Sequence, residues 1–454
     1  MAAIKAKNTD LGSEPVGRLL LRLAVPAITA QIINVLYNMV DRMYIGHIPE
    51  VGAAALTGVG VTMPVIMAIT AFTSFVSMGG APRASILMGQ KDKNGAERVL
   101  GNCTTMLIAM AVILTACTLF FGKPLLMLFG ASENTISYAW DYMKIYAAGT
   151  LFVQLSMGLN AFITAQGYAK TSMLTVLIGA VLNIVLDPIF IFGLQMGVQG
   201  AALSTVISQA VSSVWVVKFL MSKKTHLRIR KQNLKLESKI VVSCLTLGLS
   251  PFIMMFTESI LSVCFNYSLL FYGGDIAVGA MTILSSVMQF SLLPLQGLTQ
   301  GAQPIISFNY GAGNGKRVKK AFQILLICTM MYSTVIWGLC MLFPQVFIGI
   351  FTTDSLLTAY CIWAIRIYMA VSLLFGIQLA CQQTFIALGN AKVSVFLALL
   401  RKVFLLIPLI FILPLLMENK ERAVFFAEPV SDLIAVCVTG MMFFISFRRL
   451  LREM

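Results

Sequence analysis

The sequence predicts an all-α polytopic membrane protein: twelve transmembrane helices in two six-helix lobes, related by a pseudo-two-fold axis along the membrane normal. Three observations carry this. Of the 454 residues, 58% are hydrophobic and only 11% charged, where a soluble domain carries about 25% charged residues. The apolar runs are roughly 20–30 residues long, the length of membrane helices rather than of barrel strands. The two halves of the chain also repeat one another at a nearly constant offset.

The spans read in order as about 19–45, 53–79, 96–121, 134–158, 163–192, 198–221, 240–271, 276–307, 317–343, 356–386, 393–416 and 422–447. Several exceed the bilayer minimum and are expected to tilt, kink or protrude. Basic residues set the orientation. Lys5, Lys7, Arg18 and Arg22 lie around the start of span 1, and Arg83, Lys91, Lys93 and Arg98 around the 2–3 connection. Lys223, Lys224, Arg228, Arg230, Lys231, Lys235 and Lys239 fill the 6–7 connection. Lys316, Arg317, Lys319 and Lys320 lie at the 8–9 loop, and Arg448, Arg449 and Arg452 at the carboxyl end. An even number of spans puts all of these on one side, which the positive-inside rule makes cytoplasmic, both termini included. The net charge of +15 is therefore an orientation signal, and no nucleic-acid partner is expected. Residues 1–17 are polar and the first apolar run is too long for a signal peptide, so no cleavable leader is expected. The expected location is the cell (inner or plasma) membrane, with the bilayer as partner and a monomer as the working unit.

The repeat divides the chain into an amino-terminal lobe (1–221), a basic linker (222–239) and a carboxyl-terminal lobe (240–454). Pro82, after Gly79-Gly80-Ala81, corresponds to Pro304, after Gly301-Ala302-Gln303, 222 residues later. At the same offset Gly89 matches Gly311, Phe129 matches Phe351, and Lys144-Ile145-Tyr146 matches Arg366-Ile367-Tyr368. Gly167, Ala169, Lys170 and Ser172 likewise match Gly389, Ala391, Lys392 and Ser394. Near the start of each half the offset is 225, pairing Pro26 with Pro251 and Asp41 with Asn266. Six spans per half give both halves the same orientation, with a cavity expected where they meet.

The candidate chemistry starts in span 1. Asn34, Tyr37, Asn38 and Asp41 fall at i, i+3, i+4 and i+7, one face of a helix. A carboxylate inside a membrane-length apolar helix costs roughly 2.5–3.5 kcal/mol on insertion scales and points to function. Asp41 is expected to bind a cation or exchange a proton, with Asn34, Tyr37 and Asn38 as a supporting polar face. The alternative is a structural Asp that fixes helix packing or meets Arg42. In span 5, Asn183 and Asp187 also share a face, and Pro188 is expected to free the Ile184 carbonyl and kink the helix. The competing reading is an Asp-Pro pair that merely ends the helix. Span 6 adds Ser204, Thr205, Ser208 and Gln209.

These residues resemble the multidrug and toxic compound extrusion (MATE) family over about residues 15 to 448. The resemblance lies in Tyr37-Asn38…Asp41…Gly46, in Asn183…Asp187-Pro188, and in Gly200-Ala201-Ala202…Thr205…Ser208-Gln209. The paired segments around Gly167 and Gly389 add to it. It implies two lobes facing each other in a V and alternating access. It also implies export of amphipathic, often cationic, compounds against entry of protons or sodium ions. Cation-site positions of the family's amino lobe fall on Asp41, Asn183, Asp187 and Thr205. Sodium-driven members carry acids in spans 7 and 10. Here span 7 has Glu258, while span 10 has no acid, only Ile377-Gln378 in the matching region. The coupling site is therefore placed in the amino lobe. Glu258, Asn266, Gln289, Gln296 and Gln378 are candidates for a carboxyl-lobe contribution to the cavity. Gln31, Gln300, Gln303 and Gln382 are further amides for it. Met39, Met43, Met63, Met67, Met78, Met254, Met255, Met281 and Met288, in the early spans of both halves, suit a promiscuous pocket, the alternative being lipid-facing or packing residues.

Other charges are given structural readings. Arg401 in span 11 and Asp432 in span 12 lie at similar depth and are expected to pair, because an unpaired buried charge costs several kcal/mol. Lys144 and Arg366 are expected to snorkel to the outer interface, and Glu418, Glu421 and Glu428 to form a charge cluster at the outer face. Nine scattered cysteines and two loop-proximal histidines offer no metal or redox spacing. No phosphate-cradling loop or nucleotide motif is present, so an ion gradient is the expected energy source and no cofactor is expected. Two alternatives remain: a flippase of a lipid-linked or polar-headgroup substrate in the same architecture, against which the acidic amino-lobe site argues, and an intramembrane transferase. The short loops and the absence of paired catalytic acids or histidines near one interface weigh against the transferase.

Overall fold

The computed structural model describes residues 10–352 and 354–453; Lys5 and Lys7 lie outside them. The chain is helical almost throughout. Span 1 is Val16–Gly46, span 2 Gly52–Gly89 and span 3 Lys93–Leu128. Span 4 is a pair, Ile136–Ala148 and Thr150–Ala165, bent by 58°. Span 5, Ala169–Pro188, does not stop at its proline but continues into a π-helical turn, Ile189–Gly193. Span 6 is Gly197–Met221. Spans 7 and 8 are two arms of one continuous helical stretch, Ser238–Gly311, broken at Gly274 where φ is +68°. Span 9 is Gly315–Leu342, and span 10 a second bent pair, Ser355–Tyr368 and Ser372–Ala387, at 47°. Span 11 runs through Ala391–Leu399, a π-helical segment Leu400–Leu406, and Ile407–Leu416; span 12 is Lys420–Glu453. Among the described residues, nine helices are long and apolar enough to cross a membrane, and the two bent pairs make eleven. The break at Gly274 divides the longest into two, which gives twelve.

The repeat is visible in hydrogen bonds as well as in sequence. Ser85 Oγ donates to the Ala165 carbonyl at 2.7 Å, and its partner 222 residues on, Ser307 Oγ, donates to the Ala387 carbonyl at 2.7 Å. Asp92 caps span 3 by accepting from Gly95 N, and Asn314 caps span 9 by accepting from Arg317 N. Each pair ties the same two elements of its own lobe, so the halves share an architecture even where their packing residues differ.

The lobes close on each other at the end that carries both chain termini. A Cβ built on Gly79 of span 2 would fall 1.9 Å from the Cys244 carbonyl oxygen of span 7. One on Gly248 of span 7 would fall 1.8 Å from the Phe75 carbonyl oxygen of span 2. The repeat partners Gly89 and Gly311 meet in the same way, against the carbonyls of Phe308 and Ile86. Backbone touches backbone at all four contacts, which only glycine permits. Toward the opposite end, Leu36, Met39 and Met43 of span 1 and Phe256, Ile260, Val263 and Tyr267 of span 7 are exposed.

The 6–7 connection is bound to the amino lobe over most of its length. Gln166 Oε1 accepts from Thr225 Oγ1 at 2.7 Å and from Leu227 N at 2.8 Å. Thr105 Oγ1 donates to the Leu234 carbonyl, Asn102 Oδ1 accepts from Glu237 N, and Arg230 pairs with the buried Glu97 at 2.7 Å. His226 stacks on Tyr168 at 5.5 Å. Burial, and then the charge of Lys93, hold its imidazole below the ordinary histidine range.

Candidate functional site

A cavity of about 510 Å³ lies between the lobes, lined by both. From the amino lobe come Gln31, Asn34, Tyr37, Asn160, Asn183, Thr205 and Gln209, with Met78. From the carboxyl lobe come Gln296, Gln300, Gln303 and Gln383, with Met254 and Met255. The lining is amide, hydroxyl and thioether, with no charged side chain among the described residues. Such a wall offers hydrogen bonds of both senses and adaptable apolar contact without selecting one charge.

Just behind its amino-lobe wall sits a polar cluster on spans 1, 5 and 6. Asp41 is 8% exposed, Asn183 1% and Asp187 0%. The carboxyl groups of Asp41 and Asp187 are neighbours in this cluster. Asn183 is the hub: its Nδ2 lies 3.3 Å from Asp187 Oδ1, from Ser204 Oγ and from Thr205 Oγ1. Ser204 Oγ in turn donates to Asp187 Oδ1. The i, i+4 spacing of Asn183 and Asp187 puts both on the face that span 6 covers, and Ser204 and Thr205 meet them from there. Three buried oxygens have no partner among the described residues: Asp41 Oδ1, Asp187 Oδ2 and Asn183 Oδ1. Neither carboxylate has a salt bridge among the described residues. The Arg42 guanidinium is exposed and turned to Met63 Sδ at 3.4 Å. Two neighbouring carboxyls with no fixed counter-cation among the described residues call for a proton or a mobile cation between them, and the three oxygens supply ligands for one.

The span 1 stripe divides. Asn34 and Tyr37 line the cavity, and Asp41 turns into the lobe. Asn38 is exposed, its Nδ2 donating back to the Asn34 carbonyl at 2.6 Å, and it takes no part in the cluster. Of the carboxyl-lobe candidates, Gln296 lines the cavity. Asn266 and Gln289 are exposed and lie beyond it, about three turns from Met255 and about two turns from Gln296 respectively. Gln378 is buried behind the wall, bonded to Gln382 at 3.3 Å, and Gln382 Nε2 reaches Met254 Sδ at 3.2 Å.

A second ionic cluster fills the carboxyl lobe. Arg401 Nε lies 2.6 Å from Asp432 Oδ1, and an Arg401 Nη atom lies 3.6 Å from Glu428 Oε1. Lys402 Nζ lies 2.8 Å from Glu258 Oε1. Glu428 is therefore not part of an outer-face cluster with Glu418 and Glu421. It is 2% exposed, two turns into span 12, where Arg401 draws it inward. Residue spacing brought Arg401 and Asp432 into view, but it passed over Lys402 and misplaced Glu428. The signal available was four charges, Arg401, Lys402, Glu428 and Asp432, in two adjacent apolar spans, too many to leave unpaired. Lys144 bonds Asp141 one turn away at 2.5 Å, and Arg366 is exposed.

The MatE family model matches residues 26–189 and 251–412, one block in each lobe. The multidrug export protein MepA of Staphylococcus haemolyticus is 25% identical over 394 residues, covering 87% of this chain and 86% of that protein. MepA of Staphylococcus aureus is 26% identical over 403 residues, covering 88% and 87%. An outward-facing MATE family transporter matches with a TM-score of 0.91 at 23% identity, over 98% of this chain and 99% of that one. A MATE structure in a bent conformation matches with a TM-score of 0.92 at 22% identity, over 99% of each. At these identities the structures establish a common fold of twelve helices in two lobes.

Proposed function

Because this chain belongs to the MatE family, we propose that it is a cation-coupled antiporter that exports amphipathic, often cationic, compounds by alternating access. The basic residues of the 2–3, 6–7 and 8–9 connections support a cytoplasmic side for both termini, and the similarity to multidrug export proteins supports a broad substrate range. The observation that carries the coupling is the Asp41–Asp187 pair, buried, among the described residues, without a fixed counter-cation and with three unpartnered oxygens around it.

The route from ion to substrate runs through Asn183 and Thr205. Both line the cavity, and Asn183 Nδ2 also reaches Asp187 Oδ1. An ion or proton that satisfies the two carboxylates changes which hydrogen bonds Asn183 and Thr205 have left for the cavity. Substrate bound there makes the reverse demand. Each ligand then favours the lobe arrangement it binds better, and exchange follows from that difference in affinity.

The test is dye efflux from proteoliposomes with proton and sodium gradients imposed separately. The wild-type chain is expected to respond to one of them, and Asp41→Asn to abolish that response while the protein still folds and binds dye. Efflux at wild-type rates from Asp41→Asn vesicles would overturn the proposal.

A further inference from the structure

We infer that Lys402 is a tethered counter-ion: its ammonium fills the place beside Glu258 that an exchangeable monovalent cation would otherwise take, so the carboxyl lobe holds a latent cation site that its own chain occupies. This deepens the reading that coupling belongs to the amino-lobe pair, and rests on it.

The two lobes balance their buried acids differently. Among the described residues, the amino lobe sets Asp41 and Asp187 together with no salt bridge, and leaves an oxygen of each carboxylate without a partner. The carboxyl lobe holds three acids against two fixed cations. Arg401 serves Asp432 at 2.6 Å and Glu428 at 3.6 Å, and Lys402 serves Glu258 at 2.8 Å. Among the described residues, no buried carboxylate oxygen of Glu428 or Asp432 lacks a partner, and Glu258, which is exposed, has Lys402.

The depth order is the second argument. The Glu258 side chain is 59% exposed and that of Lys402 only 7%. Glu258 stands one turn beyond Met254 and Met255, which line the central cavity, so its carboxylate faces the cleft with the ammonium behind it. An ion arriving from the cleft meets a neutralised pair. Displacing a free cation needs only mass action. Displacing one attached by four methylenes does not, because its local concentration is fixed at every salt concentration.

Both basic residues lie in the π-helical segment Leu400–Leu406 of span 11, and both reach acids of the lobe from it, Arg401 toward span 12 and Lys402 toward span 7. Arg401 is fixed further by the Phe375 ring at 5.3 Å and by Ser431 Oγ donating to its carbonyl at 2.8 Å. Lys402 has Glu258 as its salt-bridge partner among the described residues. Removing the Lys402 charge leaves three acids around one guanidinium, a net negative pocket of oxygen donors open to the cleft.

The experiment measures equilibrium binding of radioactive sodium to the full-length chain in detergent, at ionic strength held constant with choline chloride. All proteins carry Asp41→Asn and Asp187→Asn to silence the amino lobe. With Lys402 in place, no saturable sodium binding is expected. Lys402→Met is expected to create it, and adding Glu258→Gln to abolish it again; Lys402→Gln serves if the methionine variant does not fold. The inference is overturned if folded Lys402 variants gain no saturable binding. It is equally overturned if the chain that keeps Lys402 already binds sodium and loses it with Glu258→Gln. Neither result touches the amino-lobe reading, which stands or falls on gradient-driven efflux by Asp41→Asn.

Discussion

At the scale of single residues, the site separates groups that touch the cavity from groups that hold the carboxylates. Ser204 belongs to the second kind: it is fully buried, donates to Asp187, and does not line the cavity. Ser204→Ala leaves a buried carboxylate oxygen short of a donor, a loss of about 1–3 kcal/mol. The expected outcome is slower gradient-driven efflux with dye affinity unchanged, restored by Ser204→Thr. A matching loss of dye affinity would instead make Ser204 part of the substrate wall. Much of this cluster was legible beforehand, because a carboxylate and an amide one turn apart in an apolar helix have few innocent explanations. Asn38 shows the limit of that reading. Tyr37 and Asn38 sit at opposite edges of the span 1 face, about 100° apart by helix geometry. A face that wide covers both the cavity and the neighbouring surface, and which edge meets which depends on packing that one helix does not specify.

At the scale of elements, the repeat exposes a local conflict. Lys91, just past the end of span 2, has φ +63°, and its counterpart Gly313, just past span 8, has φ +70°. The fold demands a left-handed residue at both places, and only the second has the residue that adopts it freely. Lys91→Gly is therefore expected to stabilise the protein by about 1 kcal/mol, and Gly313→Lys to destabilise it by roughly the same. Thermal unfolding in detergent measures both, and a lower midpoint for Lys91→Gly would mean that the lysine side chain holds the turn. The spans themselves were legible, since membrane thickness and apolar run length determine them. The two π-helical segments were not. No local pattern in the sequence marks Ile189–Gly193 or Leu400–Leu406 as π-helical.

At the scale of the molecule, the offset of 222 residues survives where the backbone has a demand: at prolines, glycines, caps and the Ser85 and Ser307 ties. Packing positions have drifted, and the two ionic clusters share no design at all. The cavity was legible in its place and in its amide character, and less so in its members, because depth along a span sorts Gln296 from Gln289. The glycine contacts at the terminal end make a prediction for the whole molecule. A side chain at Gly79 would strike the Cys244 carbonyl, so Gly79→Val is expected to hold that end of the seam apart. Spin labels on spans 2 and 7 should then report a wider separation, with efflux lost and dye binding kept. Unchanged separation with normal efflux would show that the seam tolerates a spacer.

The linker has a mechanical consequence. A connection of this length and charge would, if free, behave as a rope and leave the lobes to drift. Bonded to Gln166, Asn102, Thr105 and Glu97, it is instead a strut belonging to the amino lobe, with its last anchor at Glu237, one residue before span 7 begins. Along the linker, the passage from one lobe to the other is thereby confined to the start of span 7. One lobe carries the bearing and the other the axle, although the repeat gave each half the same helices.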